Sequence, residues 1–296
     1  MNILELNNVV KRYQQKIAVD HVSFDVPESK IFGLLGPNGA GKTSIIRIIT
    51  AITKADEGSV FFSGVPLMAA HREQIGYMPE ERGLYKKMKV GEQLLYLARL
   101  KGLSKKDAKS RIDLWFEKFQ IGDWTNKKVE ELSKGMQQKI QFIATVIHHP
   151  KLLILDEPFS GLDPVNANLI RDEILLMKQE GISIIFSTHR MEQVEQICEE
   201  IVLINNGKNV LNGTVSDIKQ QHKEHLFEVE YLGDTLLDFD NLAELQSNEN
   251  GKLIVKLKEG IESNKLLRHL LDNNLQIIGF REILPSLNEI FIKTVQ

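Results

Sequence analysis

Eight residues, GPNGAGKT at 36–43, combine glycines, a lysine and a hydroxyl in an order that could wrap an anion. They match the phosphate-binding loop (P-loop) pattern G-x-x-x-x-G-K-[ST]. Glycines let the main chain close around phosphates with successive N–H groups turned inward. A helix beginning near Lys42 would add its positive N-terminal end. In such a loop Lys42 reaches the β- and γ-phosphates of a nucleotide, and Thr43 offers its hydroxyl oxygen to Mg²⁺. A chance match is expected in about one chain in a hundred of this length. The strand before it and the helix after it argue against a plain glycine turn.

The second chemical feature is LLILDEP at 152–158, an apolar strand that ends in Asp156 and Glu157. Two acids after a strand, taken alone, read more readily as a solvated turn. Behind a phosphate loop they read as a pair with divided labour. Asp156 would hold Mg²⁺, directly or through water, and Glu157 would accept a proton from, or orient, the water that attacks the γ-phosphate.

A third motif separates the classes of phosphate-loop enzyme. LSKGMQQK at 132–139, about twenty residues before Asp156, resembles the signature of ATP-binding cassette (ABC) ATPases, usually LSGGQ. Lys134 replaces the first glycine and Met136 the glutamine, while Ser133 and Gly135 are kept. Without its flanking motifs the stretch is only a helix cap, with Ser133 as N-cap. With them, the resemblance implies an α/β fold, the P-loop NTPase ABC cassette. Its RecA-like core would carry an antiparallel β subdomain and a helical subdomain, here at about 88–150.

The resemblance also implies roles for individual residues. Gly36, Pro37, Asn38, Gly39, Ala40, Gly41, Lys42, Thr43 and Ser44 would bind ATP, with Lys42, Glu157 and His189 catalytic. His189, in STHR, matches the switch histidine that contacts the γ-phosphate. The helix end at Ser133 and Gly135 would bind the γ-phosphate of ATP held by a second cassette, joining two copies head to tail. SGLD at 160–163, with Asp163, matches the loop by which one cassette touches the other's site. Tyr13 stands where an aromatic stacks on adenine, although a tyrosine in a strand pair equally suits plain packing. Glu80, in IGYMPEERGLY, takes the place of the usual glutamine that links Mg²⁺ to the membrane subunit. Its carboxylate keeps an acceptor oxygen but adds charge beside metal and triphosphate. An exposed acidic loop is the equal alternative there.

Elements must deliver these groups to one place. Val22, Phe24 and Val26 alternate with polar residues before Pro27, and 31–35 is a short apolar run, so 3–35 reads as strands. A helix is expected over 43–52 and a strand over 58–64. From about 90 to 149 the spacing is helical, punctuated by Gly102 and Gly122. Strand, helix and strand follow at 152–155, 164–179 and 182–186, the alternation of a parallel α/β domain. The polar stretch QQHKEH at 220–225 reads as a linker between a cassette of 1–220 and a small α+β domain of 224–296, with a helix at 264–272. The role of that domain is open between regulation, dimer stabilisation and a passive cap.

Bulk properties narrow the partners. With 37 basic and 40 acidic residues the net charge is −3, which does not suggest nucleic acid. No apolar run reaches the roughly 18 residues needed to span a bilayer, so a membrane pathway would belong to a separate permease chain. The start, MNILELNN, lacks the pattern of a secretory signal. The single cysteine, Cys198, allows no internal disulfide and suits a reducing compartment. A peripheral place at the cytoplasmic face of the membrane, as a homodimer or heterodimer, follows from the resemblance. PEERGLY, LSKGMQQK and the closing LPSLNEIFIK resemble single-cassette exporters of the sodium-efflux and drug-resistance type. A soluble ABC ATPase of translation or DNA is disfavoured, because the cassette is single and uninterrupted, without heptads or a basic arm. A GTPase is disfavoured because Asn126-Lys127 is followed by Lys128-Val129, not by the guanine-reading aspartate.

Overall fold

The computed structural model describes residues 1–81, 83–233, 238, 239 and 241–295. Arg82, within PEERGLY, lies outside them. The chain divides into two compact units, Met1–Thr214 and Val215–Gln296.

The first unit opens with β1 (Asn2–Tyr13) and β2 (Lys16–Pro27), paired antiparallel. The period-2 pattern is realised: Val22, Phe24 and Val26 are buried, and Phe24 stacks on Phe32 at 5.4 Å. β3 (Ile31–Leu35) is buried at every residue and leads through the glycine loop into α1 (Lys42–Ile49). Ile45, Ile46, Ile48 and Ile49 are buried in that helix. Such β-branched residues are mediocre helix formers, so tertiary packing outweighs propensity here. β4 (Glu57–Phe62) and the short β5 (Val65–Pro66) complete an antiparallel sheet in the order β2-β1-β4-β5.

β6 (Ile75–Met78) has too short a pattern to stand out in sequence, and its parallel pairing with a later strand stabilises it. The expected helical block comprises α2 (Val90–Leu100), α3 (Lys105–Phe119) and α4 (Lys134–Val146). Trp115, Phe119 and Phe142 meet there with ring centroids 5.3 to 6.3 Å apart. β7 (Leu152–Asp156), α5 (Pro164–Gln179), β8 (Ser183–Thr188), α6 (Met191–Ile197), β9 (Glu200–Asn205) and β10 (Lys208–Thr214) follow. The central sheet has the order β10-β9-β3-β8-β7-β6, parallel except for the β9–β10 hairpin. β3, β7 and β8 are buried along their whole length, as a sheet interior requires. Their C-terminal ends carry the loops at 36–41, 156–157 and 189.

The second unit contains α7 (Val215–Gln221), β11 (Leu226–Leu232), β12 (Ala243–Glu249), β13 (Lys252–Leu257), α8 (Ser263–Asp272), β14 (Gln276–Ile283) and α9 (Leu287–Val295). Its antiparallel sheet runs β12-β13-β11-β14. Phe227, Val229, Val255 and Leu257 form a core with Leu266 and Leu270 of α8. The boundary expected at 220–224 falls earlier, after Thr214. Of the linker expected at 220–225, Gln220 and Gln221 end α7, in which Ile218 is buried, and 222–225 lie between α7 and β11.

Candidate active site

The glycine loop has no room for side chains at two points. Gly36 has φ +145°, and a Cβ there would lie 2.1 Å from the Ile204 carbonyl oxygen of β9. Gly41, the N-cap of α1, has φ +115°, and its Cβ would lie 2.4 Å from the Ala18 carbonyl of β2. The loop is thus pressed between two strands, which fixes its path. Lys42, Thr43 and Ser44 open α1, where the first N–H groups have no intrahelical acceptor. The Lys42 ammonium folds back to donate to the carbonyls of Gly36 (2.6 Å) and Pro37 (3.1 Å). Burial lowers its pKa, opposed by the carboxylates of Asp156, Glu157 and Glu80. A half-buried cation at a helix N-terminus suits a polyanion.

The two acids differ in setting. Asp156 ends β7 and accepts a hydrogen bond from the Ser187 hydroxyl at 2.8 Å. Burial raises its pKa, while the Ser187 hydrogen bond and the Lys42 charge pull it down. Glu157 has φ +50°, an uncommon conformation for a non-glycine residue. The end of β8 secures it. Its N–H donates to the Ser187 carbonyl at 2.9 Å, and its Oε2 accepts from the Thr188 hydroxyl at 3.0 Å. Its Oε1 accepts from the His189 N–H at 2.9 Å and lies 2.6 Å from His189 Nδ1. Tyr77 of β6 is partly buried beside these groups; burial, with the Asp156 charge, pushes its phenol up to about 12, so it remains neutral.

Tyr13, Asn38, Gly39, Gly41, Lys42, Thr43, Ser44, Glu80, Asp156, Glu157 and His189 line one cleft. Tyr13 is 39% exposed, with Lys11 Nζ 5.6 Å from its ring centroid, so it is not a core packing residue. Gly36, Pro37 and Ala40 shape the loop but do not line the cleft, and Ala40 is buried against the core. Ser133, Gly135 and Asp163 also lie off this cleft. Ser133 caps α4, accepting from the Met136 N–H at 3.3 Å. Asp163 caps α5, and the Asn166 N–H at 3.0 Å holds its carboxyl below the usual range. Gly135 faces the same loop: a Cβ on it would lie 3.6 Å from Leu162. These three expected residues therefore sit on a second surface, with both caps exposed.

Thr43, Asp156 and Glu80 present hard oxygen donors to the cleft. Among the described residues no group of three or more His, Cys, Asp or Glu could hold a metal alone. The oxygen donors of Thr43, Asp156 and Glu80 would suit Mg²⁺, which commonly uses one or two protein oxygens and takes the rest of its shell from phosphates and water. The sequence reading missed Ser187, Thr188, Lys16 and Ala18. The first two were legible as polar residues ending an apolar strand beside His189. Lys16 and Ala18 carry no local signal, since only folding brings β2 to the loop.

Known proteins resemble this chain over most of its length. Residues 19–160 match the ABC transporter family model, and residues 213–295 match that of the C-terminal domain of DrrA1-3-like ATP-binding proteins. The chain is 45% identical to the Bacillus subtilis ABC transporter ATP-binding protein YhaQ, over 99% of this chain and 98% of that one. It is 33% identical to the B. subtilis linearmycin resistance ATP-binding protein LnrL, over 73% of this chain and 70% of that one. A solved ATP-binding subunit of an ABC transporter superposes with TM-score 0.69 at 30% identity, covering 74% of this chain and 92% of that one. With the phosphate loop and the paired acids in one cleft, the chain belongs to the ATP-binding, ATP-hydrolysing subunits of ABC transporters.

Proposed function

We propose that two cassettes close head to tail on ATP and open after hydrolysis, driving a permease carried on a separate chain. The observation that carries this reading is the anchoring of Glu157 by Thr188 and His189 in the cleft that Lys42 also lines. Lys42 and the loop N–H groups hold the triphosphate. Thr43, Asp156 and Glu80 hold Mg²⁺, which when bound neutralises charge on the β- and γ-phosphates. Glu157 orients the attacking water and takes its proton, and His189 contacts the γ-phosphate. Tyr13 stacks on the adenine. Ser133, Gly135 and Asp163, off their own cleft and on an exposed surface, serve the nucleotide of the second cassette. Both partners are copies of this chain or a copy and a close relative.

The working position is the cytoplasmic face of the membrane, reached through the permease. No helix among the described residues is long and apolar enough to cross a bilayer. The cargo is read as a small molecule or ion moved outward, and the similarity to a protein named for linearmycin resistance supports a small molecule. Tagged Glu157→Gln protein, purified with ATP from gently solubilised cells, tests the proposal. Turnover is expected to fall by about two orders of magnitude or more, and a polytopic membrane protein should co-purify in stoichiometric amount. Unchanged turnover overturns the role of Glu157. Ribosomes or DNA in place of a membrane partner overturn the transport role.

A further inference from the structure

Helix α4 buries a face that carries two amides, Gln138 and Gln141. Residues three apart on a helix lie side by side. Each donates to a main-chain carbonyl beside a cleft carboxylate. Gln138 Nε2 reaches Pro158, which follows Glu157, at 2.9 Å, and Gln141 Nε2 reaches Pro79, which precedes Glu80, at 2.8 Å. On α2, the fully buried Gln93 accepts from the Tyr85 N–H at 3.1 Å. Pro79 and Tyr85, on either side of Glu80, are thus each bonded to the helical block.

The contact at Pro79 matters most for Glu80. A proline has no N–H, so its carbonyl is the main-chain polar group through which that residue can be held. Glu80 itself is exposed, and its carboxylate acts on Lys42 and Asp156 through charge. Where that carboxylate stands therefore depends on where the backbone at 79–80 stands. The Gln141 amide is buried with its Nε2 bonded to Pro79, while its Oε1 has no partner among the described residues, so the side-chain hydrogen bond it makes is the one to a loop at the site's edge.

We propose that Gln141 is a positioning residue. Through the Pro79 carbonyl it sets the place of the Glu80 carboxylate relative to Asp156 and Thr43, and thereby the Mg²⁺ affinity of the nucleotide-loaded cleft. This rests on the reading of Glu80 as part of the Mg²⁺ site.

The test uses the full chain with Glu157→Gln as parent, so that hydrolysis does not enter, and titrates Mg²⁺ while following a fluorescent ATP analogue. Glu80→Ala should raise the half-saturating Mg²⁺ concentration. Gln141→Met should raise it about five- to tenfold, the size of one net hydrogen bond, with Mg²⁺-free analogue affinity unchanged. The double variant should match Glu80→Ala alone, since both act through one carboxylate. A lowered melting temperature without a shift in Mg²⁺ dependence, or shifts that add in the double variant, overturns the positioning role and leaves Glu80 in the site. No shift in Glu80→Ala itself removes Glu80 from the site and the proposal with it. If the Met form does not fold, Gln141→Leu also lacks the donor and takes its place.

Discussion

Glu157 stands in the left-handed region of backbone space, which costs a non-glycine residue about 1–2 kcal/mol. Hydrogen bonds from Thr188 and His189 hold its carboxylate in that conformation, so the strain sits where aim matters. His148, just after α4, is a different case, a buried ring that does not line the cleft. Burial, and behind it the Lys101 charge, pushes its imidazole down to about 4. An unfolded histidine titrates near 6.5. The unfolded chain therefore binds a proton first as pH falls, and the folded chain resists. The stability that neutral His148 contributes is complete above about pH 6.5 and is lost progressively towards pH 4, by up to about 3 kcal/mol. His148→Leu should flatten this part of the profile. Melting temperatures of variant and parent across pH 4 to 7 check it, and parallel curves would refute it.

The loop between β3 and α1 shows what an element demands of its residues. Gly36 and Gly39 both have positive φ, but only Gly36 would drive a Cβ into a neighbouring backbone atom. Gly36→Ala should cost about 3 kcal/mol or more, because strain and collision combine. Gly39→Ala meets nothing within 4 Å and should cost only about 1 kcal/mol. Thermal melts of the nucleotide-free proteins compare the two. Equal losses would show that the loop yields at β9. Helices α4 and α5 make a complementary point. Their caps, Ser133 and Asp163, each bond a backbone N–H three residues on, so both residues have structural work apart from nucleotide.

Each unit of the molecule has its own apolar core, and every residue lining the nucleotide cleft lies in the first. Truncation after Thr214 keeps β10 and its pairing with β9. The shortened chain should bind ATP within about twofold of the full chain, as expected for sites without shared partners. Fluorescent-analogue affinity and dimerisation with ATP, measured separately, follow the two consequences. A large loss of affinity would place part of the second unit in the site.

The sequence by itself determined whatever is written in consecutive residues. The phosphate loop with Lys42 and Thr43, the Asp156–Glu157 pair, the Ser133 cap and the buried strands 31–35 and 152–155 each depend on local order. Their chemistry needs glycines, a charge or a cap at set spacing along one stretch of chain. Only the tertiary structure decided which distant stretches meet. Ser187 and Thr188 reach the acids because β8 pairs with β7, thirty-one positions away along the chain. Gln141 meets Pro79 across sixty-two positions. Gly36 has to be glycine because β9 passes over it. Strand β6 and helix α7 are likewise settled by pairing and burial, since neither has enough residues for its own pattern to speak. Spacing along the chain records what a residue is able to do, and packing decides what it is placed against.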